Sequence, residues 1–221
     1  MKKLGLLIIM IVLGLLLSFN AQAQAQEILD DERYIEEEEL VGKEAKFNDE
    51  GIFNVYVDRG NKANHYAPSG WMGDYGDIKM NDNFAENPYS GKTCIKFAYS
   101  AKGAQGAGWA GVMWQNPANN WGEIKGGFDL SGAKKLTFWA KGEKGDERIM
   151  EFKMGGIGGT YPDSDSIGIG PIDLTNEWKQ YSIDLTDVDL SYVNGGFCWS
   201  SNADSNPEGM VFYLDDIQYE L

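Results

Sequence analysis

The sequence contains very little histidine and cysteine. His65 is the single histidine, which excludes a metal site built from several imidazoles and leaves one candidate base for a Ser-His-Asp triad. Cys94 and Cys198 are the two cysteines, so one disulfide can form in an oxidising compartment. The alternative is that both are buried thiols that pack as small hydrophobic side chains. The sequence leaves the state of these cysteines open.

Positive charge is scarce as well. Lys and Arg number 19 against 34 Asp and Glu, which gives a formal net charge of -15. Nucleic acids and anionic membrane surfaces bind proteins through basic patches that neutralise phosphate groups. We therefore expect no nucleic-acid partner and favour a neutral ligand or a cation.

Long apolar segments are absent beyond the N-terminus. Two lysines, an apolar run over residues 4–19 and two overlapping Ala-x-Ala sites within residues 21–25 follow one another. This order predicts a signal peptide over residues 1–25, because the run is shorter than the roughly 20 residues of a membrane-spanning helix. The sequence therefore predicts an exported protein, extracellular or periplasmic, with no membrane insertion after cleavage.

The segment after the predicted signal peptide is crowded with acidic side chains. Four consecutive glutamates, at positions 36–39, repel one another and disfavour a stable helix. We expect residues 26–45 to form a flexible acidic tether, with a short helix over residues 30–40 as the alternative. Residues 46–221 remain as a single domain, a length at which one hydrophobic core buries most of the apolar surface.

Short segments of alternating polarity, separated by Gly, Asn, Asp and Pro, fill this domain, and no long helical periodicity is present. Successive side chains of a strand point to opposite faces, so such alternation is typical of strands with one buried face. Two segments provide clear core positions: Ile95, Phe97 and Tyr99 in one, and Leu136, Phe138 and Ala140 in the other. The pattern predicts about eight or nine strands and an all-β, two-sheet antiparallel β-sandwich of the jelly-roll type.

Tryptophan is abundant, and several of the seven tryptophans lie in turn-rich segments beside amides. A pyranose has an apolar C–H face that packs on an aromatic ring and hydroxyls that pair with amides and carboxylates, so these segments predict a carbohydrate site. The alternative is that the rings only plug the ends of the sandwich. We favour a shared surface on which loop aromatics form the stacking platform. The candidate residues are Trp71, Tyr75, Trp114, Gln115, Asn119, Asn120, Trp121 and Trp199 at a loop rim, and Trp139, Glu151 and Lys153 on a polar strand face.

Four segments carry a resemblance to a known family. They are GKTCIKF (91–97), FDLSGAKKLTFWAKG (128–142), EWKQYSIDL (177–185) and FYLDDIQY (212–219). In this order they resemble the non-catalytic carbohydrate-binding modules of the galactose-binding-like β-sandwich superfamily, over roughly residues 52–221. The resemblance implies a protein that binds a polysaccharide or oligosaccharide, and it does not specify the sugar. Trp178 lies in the third segment, where we expect it mainly to stabilise the fold.

The same resemblance implies a structural calcium ion. Such modules commonly hold Ca²⁺ where the last strand pairs with the first, through a carboxylate of the Asp-Asp pair. This assignment corresponds to Asp215 and Asp216 here, with Asp58 as a companion. Calcium takes six to eight oxygen ligands, so backbone carbonyls would have to complete the site. The alternative is that the aspartates only cap the strand or prevent edge pairing.

Two other classes of function stay open. A jelly-roll hydrolase or lyase that degrades polysaccharides is the first, and a glycoside hydrolase would need two facing carboxylates. Glu151 lies on the polar strand face, and three further acidic residues lie in loops rich in aromatic residues: Asp74, Asp77 and Glu123. Together they form no recognisable catalytic pattern. The second is a surface adhesion or structural protein whose tether presents the sandwich to a partner.

Overall fold

The computed structural model describes residues 40–221. Along many of its strands, buried and more exposed side chains alternate with a period of two residues. The predicted signal peptide and most of the predicted tether lie outside the described residues. Residues Val41–Leu221 form one compact unit. The structure describes no helix with the length and hydropathy needed to span a bilayer.

The strands are short and follow one another closely along the chain. In chain order they are β1 (Lys43–Glu44), β2 (Ile52–Tyr56), β3 (Ala67–Gly73), β4 (Ile78–Phe84), β5 (Cys94–Tyr99), β6 (Trp109–Gln115), β7 (Phe128–Asp129), β8 (Lys135–Gly142), β9 (Arg148–Ile149), β10 (Glu151–Gly155), β11 (Ser166–Ile169), β12 (Ile172–Asp173), β13 (Lys179–Asp184), β14 (Gly195–Asn202) and β15 (Met210–Glu220). One turn of 3-10 helix, Tyr75–Asp77, precedes β4.

Two antiparallel sheets form the sandwich. Sheet I has six strands in the order β13-β8-β15-β5-β4, with β2 also paired to β15. Sheet II has five strands in the order β11-β10-β14-β6-β3. The predicted all-β antiparallel sandwich is confirmed, with more strands than expected. β1 pairs with β7, so the folded part begins before residue 46.

The core between the sheets is built largely from aromatic rings. Phe138 of sheet I lies 4.6 Å from Phe152 of sheet II, and Phe97 of sheet I lies 5.1 Å from Trp199 of sheet II, between ring centroids. Each buried ring removes roughly 150–250 Å² from water, which makes these contacts a main source of stability. All predicted core positions are confirmed, because each is at most 2% exposed: Ile95, Phe97, Tyr99, Leu136, Phe138 and Ala140.

Two tryptophans predicted for the carbohydrate site belong to this core. Trp114 and Trp199 are both 0% exposed. Trp114 shares the inner face of β6 with Ala110 and Val112. Its ring packs against Phe197 at a centroid distance of 5.3 Å. A sugar cannot reach either ring without unfolding the sandwich, so their assignment to the site is wrong.

The two cysteines lie in different sheets and form no disulfide. Cys94 is on β5 of sheet I and Cys198 is on β14 of sheet II, and both are free and buried. Burial raises the pKa of each thiol to about 12. Because the thiolate is the reactive form, both side chains behave as small hydrophobic groups.

Candidate functional site

The middle of the outer face of sheet II carries small side chains. Gly111 of β6 lies opposite Ser200 on β14 and Met72 on β3. A Cβ atom at position 111 would lie 2.6 Å from the carbonyl oxygen of Trp199, so only glycine fits there. Two further glycines on β3 and β11 have equally close neighbours: Gly70 and Gly168. We call this face, with the side chains around Gly111, the sheet II strip.

Charged groups line one side of the sheet II strip. Glu151 and Lys153 of β10 lie opposite Ser200 and Cys198 and therefore share the outer face. The Lys153 Nζ atom lies 4.0 Å from Glu151 Oε2, and their side chains are 27% and 47% exposed, respectively. A carboxylate that accepts hydrogen bonds and an ammonium group that donates them thus point from the same strand.

Two exposed tryptophans border the sheet II strip. Trp109 is the first residue of β6 and lies two positions before Gly111, so the two residues share the outer face of sheet II. The Trp109 side chain is 41% exposed. Trp121, also 41% exposed, follows the other end of β6 in a loop that accepts a hydrogen bond from Gln115. β6 spans about 20 Å at the rise of an extended strand. The sequence analysis did not include Trp109 in the site, although its spacing of two residues from Gly111 places both on the outer face.

A loop over residues 156–165 covers the end of the strip near Trp121. Ile157 packs on Met113, which faces outward from β6. The Asp163 carboxylate holds this loop in place, because it accepts hydrogen bonds from the backbone N–H groups of Ile157 at 2.8 Å and Gly195 at 3.1 Å. Burial raises the pKa of Asp163 against the effect of these bonds. The loop therefore forms a fixed wall.

The amides predicted to contact sugar instead build the Trp121 loop. Gln115 and Asn120 are 1% and 2% exposed. Gln115 accepts a hydrogen bond from the Ser69 hydroxyl at 2.9 Å, and the Asn120 side-chain oxygen accepts from three backbone N–H groups of its own loop. Their assignment as ligand contacts is wrong, because their polar atoms are already paired and buried. Asn119 is exposed, and its N–H donates to Ser69 at 2.8 Å.

The loop rim predicted from the sequence is not assembled. Trp71 is half-buried and packs against the core from β3. Tyr75 is 52% exposed in the 3-10 helix and follows Asp74, whose N–H donates to the Trp109 carbonyl at 2.7 Å. Trp114 and Trp199 are buried, so Trp121 and Tyr75 are the exposed rings of the predicted rim.

Trp139 lies on the opposite side of the sandwich from Glu151 and Lys153. It faces outward from β8 in sheet I, so the predicted cleft around these three residues is wrong. The Tyr89 ring stacks on Trp139 at a centroid distance of 3.6 Å and an interplanar angle of 13°. Trp178 lies on the same outer face and is half-buried, and its indole N–H donates to a loop carbonyl at 3.0 Å. Trp178 is therefore not part of the core.

Asp215 is a buried carboxylate behind the Tyr89 loop. It is 0% exposed, and it accepts hydrogen bonds from the backbone N–H groups of Tyr89 at 2.9 Å and Ser90 at 3.2 Å. Burial raises the pKa of Asp215 to about 7, and the neighbouring Asp216 adds to this effect. Asp215 thus fixes the Tyr89 loop from below.

The other two predicted calcium ligands lie beside the same loop. Asp58 accepts hydrogen bonds from the N–H groups of Lys92 and Thr93, each at 2.8 Å. Burial raises the pKa of Asp216, and the charge of Asp58 acts in the same direction. Within residues 40–221, no group of three or more acidic, cysteine or histidine side chains is close enough to hold a metal ion. A cation here would therefore depend on backbone carbonyls for most of its ligands.

Asp74 and Asp77 organise a loop and are not free for chemistry. Both are buried, and together they accept hydrogen bonds from six backbone N–H groups of residues 102–108. The bond from Ala107 leads the causes that hold the pKa of Asp74 below its usual value. For Asp77, burial raises the pKa, but the bonds from Ser100 and the loop outweigh it. Their role in this structure is structural.

Comparison with solved structures identifies the fold. A family 30 carbohydrate-binding module aligns with a TM-score of 0.51 at 16% sequence identity, covering 79% of this chain and 90% of that chain. The chain has the fold of a carbohydrate-binding module. No protein-family model and no curated protein sequence matches it.

Other carbohydrate-binding modules align less closely. The family 30 module of a cellulosomal cellulase of Clostridium thermocellum aligns with a TM-score of 0.48 and 16% identity, covering 76% of this chain and 96% of that chain. A family 29 module mutant complexed with mannohexaose aligns with a TM-score of 0.44 and 12% identity, covering 76% and 89% of the two chains.

Proposed function

We propose that this protein is an exported, non-catalytic carbohydrate-binding protein that holds a glycan on the sheet II strip. The observation that carries the proposal is the position of two exposed indoles, Trp109 and Trp121, on either side of a face that also presents Glu151 and Lys153. Indole rings pack on the apolar faces of pyranoses, and the charged pair can bond to hydroxyl groups. The predicted signal peptide supports export.

The length of the strip favours a chain of sugars over a single sugar. β6, which runs through the strip, spans about 20 Å, several times the width of one pyranose ring. The proposed ligand is therefore a polysaccharide or an oligosaccharide. Because stacking and hydroxyl pairing are screened weakly by salt, we expect binding to a neutral glycan to change little with ionic strength.

Binding without hydrolysis is the function that these acidic groups support. A glycoside hydrolase places two carboxyl groups on either side of the bond that breaks. Glu151 lies on the strip, whereas Asp74 and Asp77 are buried under the loop that they hold. A carboxylate paired with an ammonium group on a binding face serves as a hydrogen-bond acceptor for sugar hydroxyls.

Affinity electrophoresis through a neutral β-glucan tests this proposal. Trp109→Ala and Trp121→Ala should each weaken retention by about 1–3 kcal/mol, the range for an aromatic anchor in an interface. Leu221→Ala is the control, because Leu221 is an exposed apolar side chain that follows β15 of sheet I. Wild-type protein should release no reducing sugar from the glycan. Unchanged retention of both tryptophan variants, or release of sugar, would contradict the proposal.

We also propose that a structural calcium ion binds beside Asp58, Asp215 and Asp216. These three carboxylates surround one loop, and burial raises the pKa of two of them, so a bound cation would relieve the cost of their negative charge. The alternative is that the aspartates only hold the loop through its N–H groups.

A further inference from the structure

The outer face of sheet I carries a second aromatic surface. Tyr89 covers Trp139 in a parallel stack, and the Trp178 ring stands edge-on to Tyr89 at a centroid distance of 6.3 Å and an angle of 67°. Tyr89 is 41% exposed, although it is part of this aromatic contact. One face of the phenol ring contacts the Trp139 indole, and the exposed part of the side chain is open to solvent.

A groove lies beside this aromatic stack, and we call it the Tyr89 groove. Its volume is about 550 Å³, within the roughly 300–1,000 Å³ of small-molecule sites. Its polar lining consists mainly of amides and carboxylates: Asn48, Asn54, Gln180, Gln218, Glu50 and Asp216. Among the described residues, no lysine or arginine lines it. The groove therefore offers many hydrogen-bond partners and a negative potential.

We propose that the Tyr89 groove is a second carbohydrate site that selects neutral sugars. The ring of Tyr89 supplies a surface for the apolar face of a pyranose, and the amides supply both donors and acceptors for its hydroxyls. The carboxylate of Glu50 accepts hydrogen bonds from hydroxyls but repels the carboxylate of an acidic sugar. The charge of the groove thus favours a neutral glycan over an acidic one.

The loop that carries Tyr89 is held in place before any ligand binds. Asp215 accepts hydrogen bonds from the N–H groups of Tyr89 and Ser90, and the Trp178 indole N–H donates to the carbonyl of Asn87. Binding to a surface that is already ordered costs less conformational entropy. The amides that line the groove beside Tyr89 and Trp139 are a feature that the stacking of the two rings does not by itself explain.

Two sites on opposite faces would make the protein bivalent. The sheet II strip and the Tyr89 groove belong to different sheets, so each site would bind its own segment of glycan. Two sites on one protein increase retention on a polymer, because the second binding event occurs at a high local ligand concentration. The inference rests on the proposed function only in sharing its ligand class, since its residues are different.

Nuclear magnetic resonance of the indole N–H groups tests the inference directly. Mannohexaose and cellohexaose, two neutral probes, are titrated into ¹⁵N-labelled protein whose indole signals are assigned with single Trp→Phe variants. We expect the Trp139 and Trp178 signals to shift with a saturable dependence on at least one probe. The Trp109 and Trp121 signals report separately on the sheet II strip.

Variants separate the two sites. Tyr89→Ala should weaken the binding measured at Trp139 and Trp178 by about tenfold or more, whereas Tyr75→Ala should leave it unchanged. Shifts restricted to Trp109 and Trp121 would overturn the second site and leave the proposed function intact. Shifts restricted to Trp139 and Trp178 would support the second site and contradict the strip. No shift with either probe, or an equal response to a hexaose of galacturonic acid, would overturn the inference.

Discussion

At the scale of single residues, strand alternation decides which tryptophans can meet a ligand. Trp114 and Trp109 lie on the same strand, yet one is 0% exposed and the other is 41% exposed. The odd number of steps between them puts them on opposite faces of sheet II. The amides near Trp114 made it a candidate in the sequence, but those amides bond to the backbone of their own loop.

We predict that Trp199→Ala destabilises the fold. Loss of a fully buried indole leaves a cavity in the core, and the free energy of unfolding should fall by about 3–5 kcal/mol. Urea unfolding followed by far-UV circular dichroism measures the change. Trp109→Ala is the matched control and should change the free energy of unfolding little, because Trp109 is exposed. Equal destabilisation by the two variants would show that exposure does not separate their roles.

At the scale of elements, several loops are held by buried carboxylates that accept hydrogen bonds from the loop N–H groups. The loop of residues 101–108 contributes little apolar surface, and two carboxylates accept its N–H groups instead. Asp163 and Asp215 hold two other loops in the same manner. The sequence places these aspartates in loops or strands but does not show which N–H groups they meet, since their partners lie up to 126 residues away.

We predict that Asp74→Asn lowers the melting temperature and makes it less dependent on pH in acid. The loop N–H groups hold the pKa of Asp74 below its ordinary value of 3.8, so the native state binds fewer protons than the unfolded state. The stability that comes from this carboxylate is therefore present above pH 3.8 and is lost as the pH falls through the folded pKa. Thermal melts of wild type and variant are compared between about pH 2 and 6, a range that includes the ordinary pKa of an aspartate. A wild-type curve parallel to that of the variant would contradict this role.

At the scale of the whole molecule, the buried Asp215 carboxylate beneath the Tyr89 loop makes stability depend on pH. The raised pKa of Asp215 means that the native state binds more protons than the unfolded state between pH 3.8 and about 7. Without a cation, the contribution of Asp215 to stability therefore decreases as the pH rises through this range. A bound calcium ion would reverse the penalty, because it binds the deprotonated carboxylate.

We predict that calcium raises the melting temperature and that EDTA lowers it, with a larger difference above pH 7 than below it. A ligand that binds only the folded state stabilises it by mass action. Asp215→Ala should abolish the difference, and Asp173→Ala, a change at an exposed carboxylate away from the loop, should preserve it. Identical melting curves for metal-free protein with and without calcium would leave these aspartates as loop-holding groups only.

The sequence by itself determined the local features of the domain. Alternation identified the strands and their buried faces correctly at Phe97 and Phe138, because the side-chain period of a strand is a local property. The abundance of aromatic residues and the shortage of basic residues predicted a neutral ligand, and that prediction is part of the proposed function. The resemblance over four segments implied the type of fold that the structural comparison shows.

Only the tertiary structure decided which outward-facing residues share a surface. Trp139 and Lys153 both alternate outward, but β8 pairs with β13 and β15 whereas β10 pairs with β11 and β14, so they lie on opposite faces. Sheet membership depends on hydrogen bonds between segments far apart in the chain, which a local pattern does not record. The same long-range pairing brings Tyr89 onto Trp139 and places Ser200 of β14 opposite Gly111 on the strip.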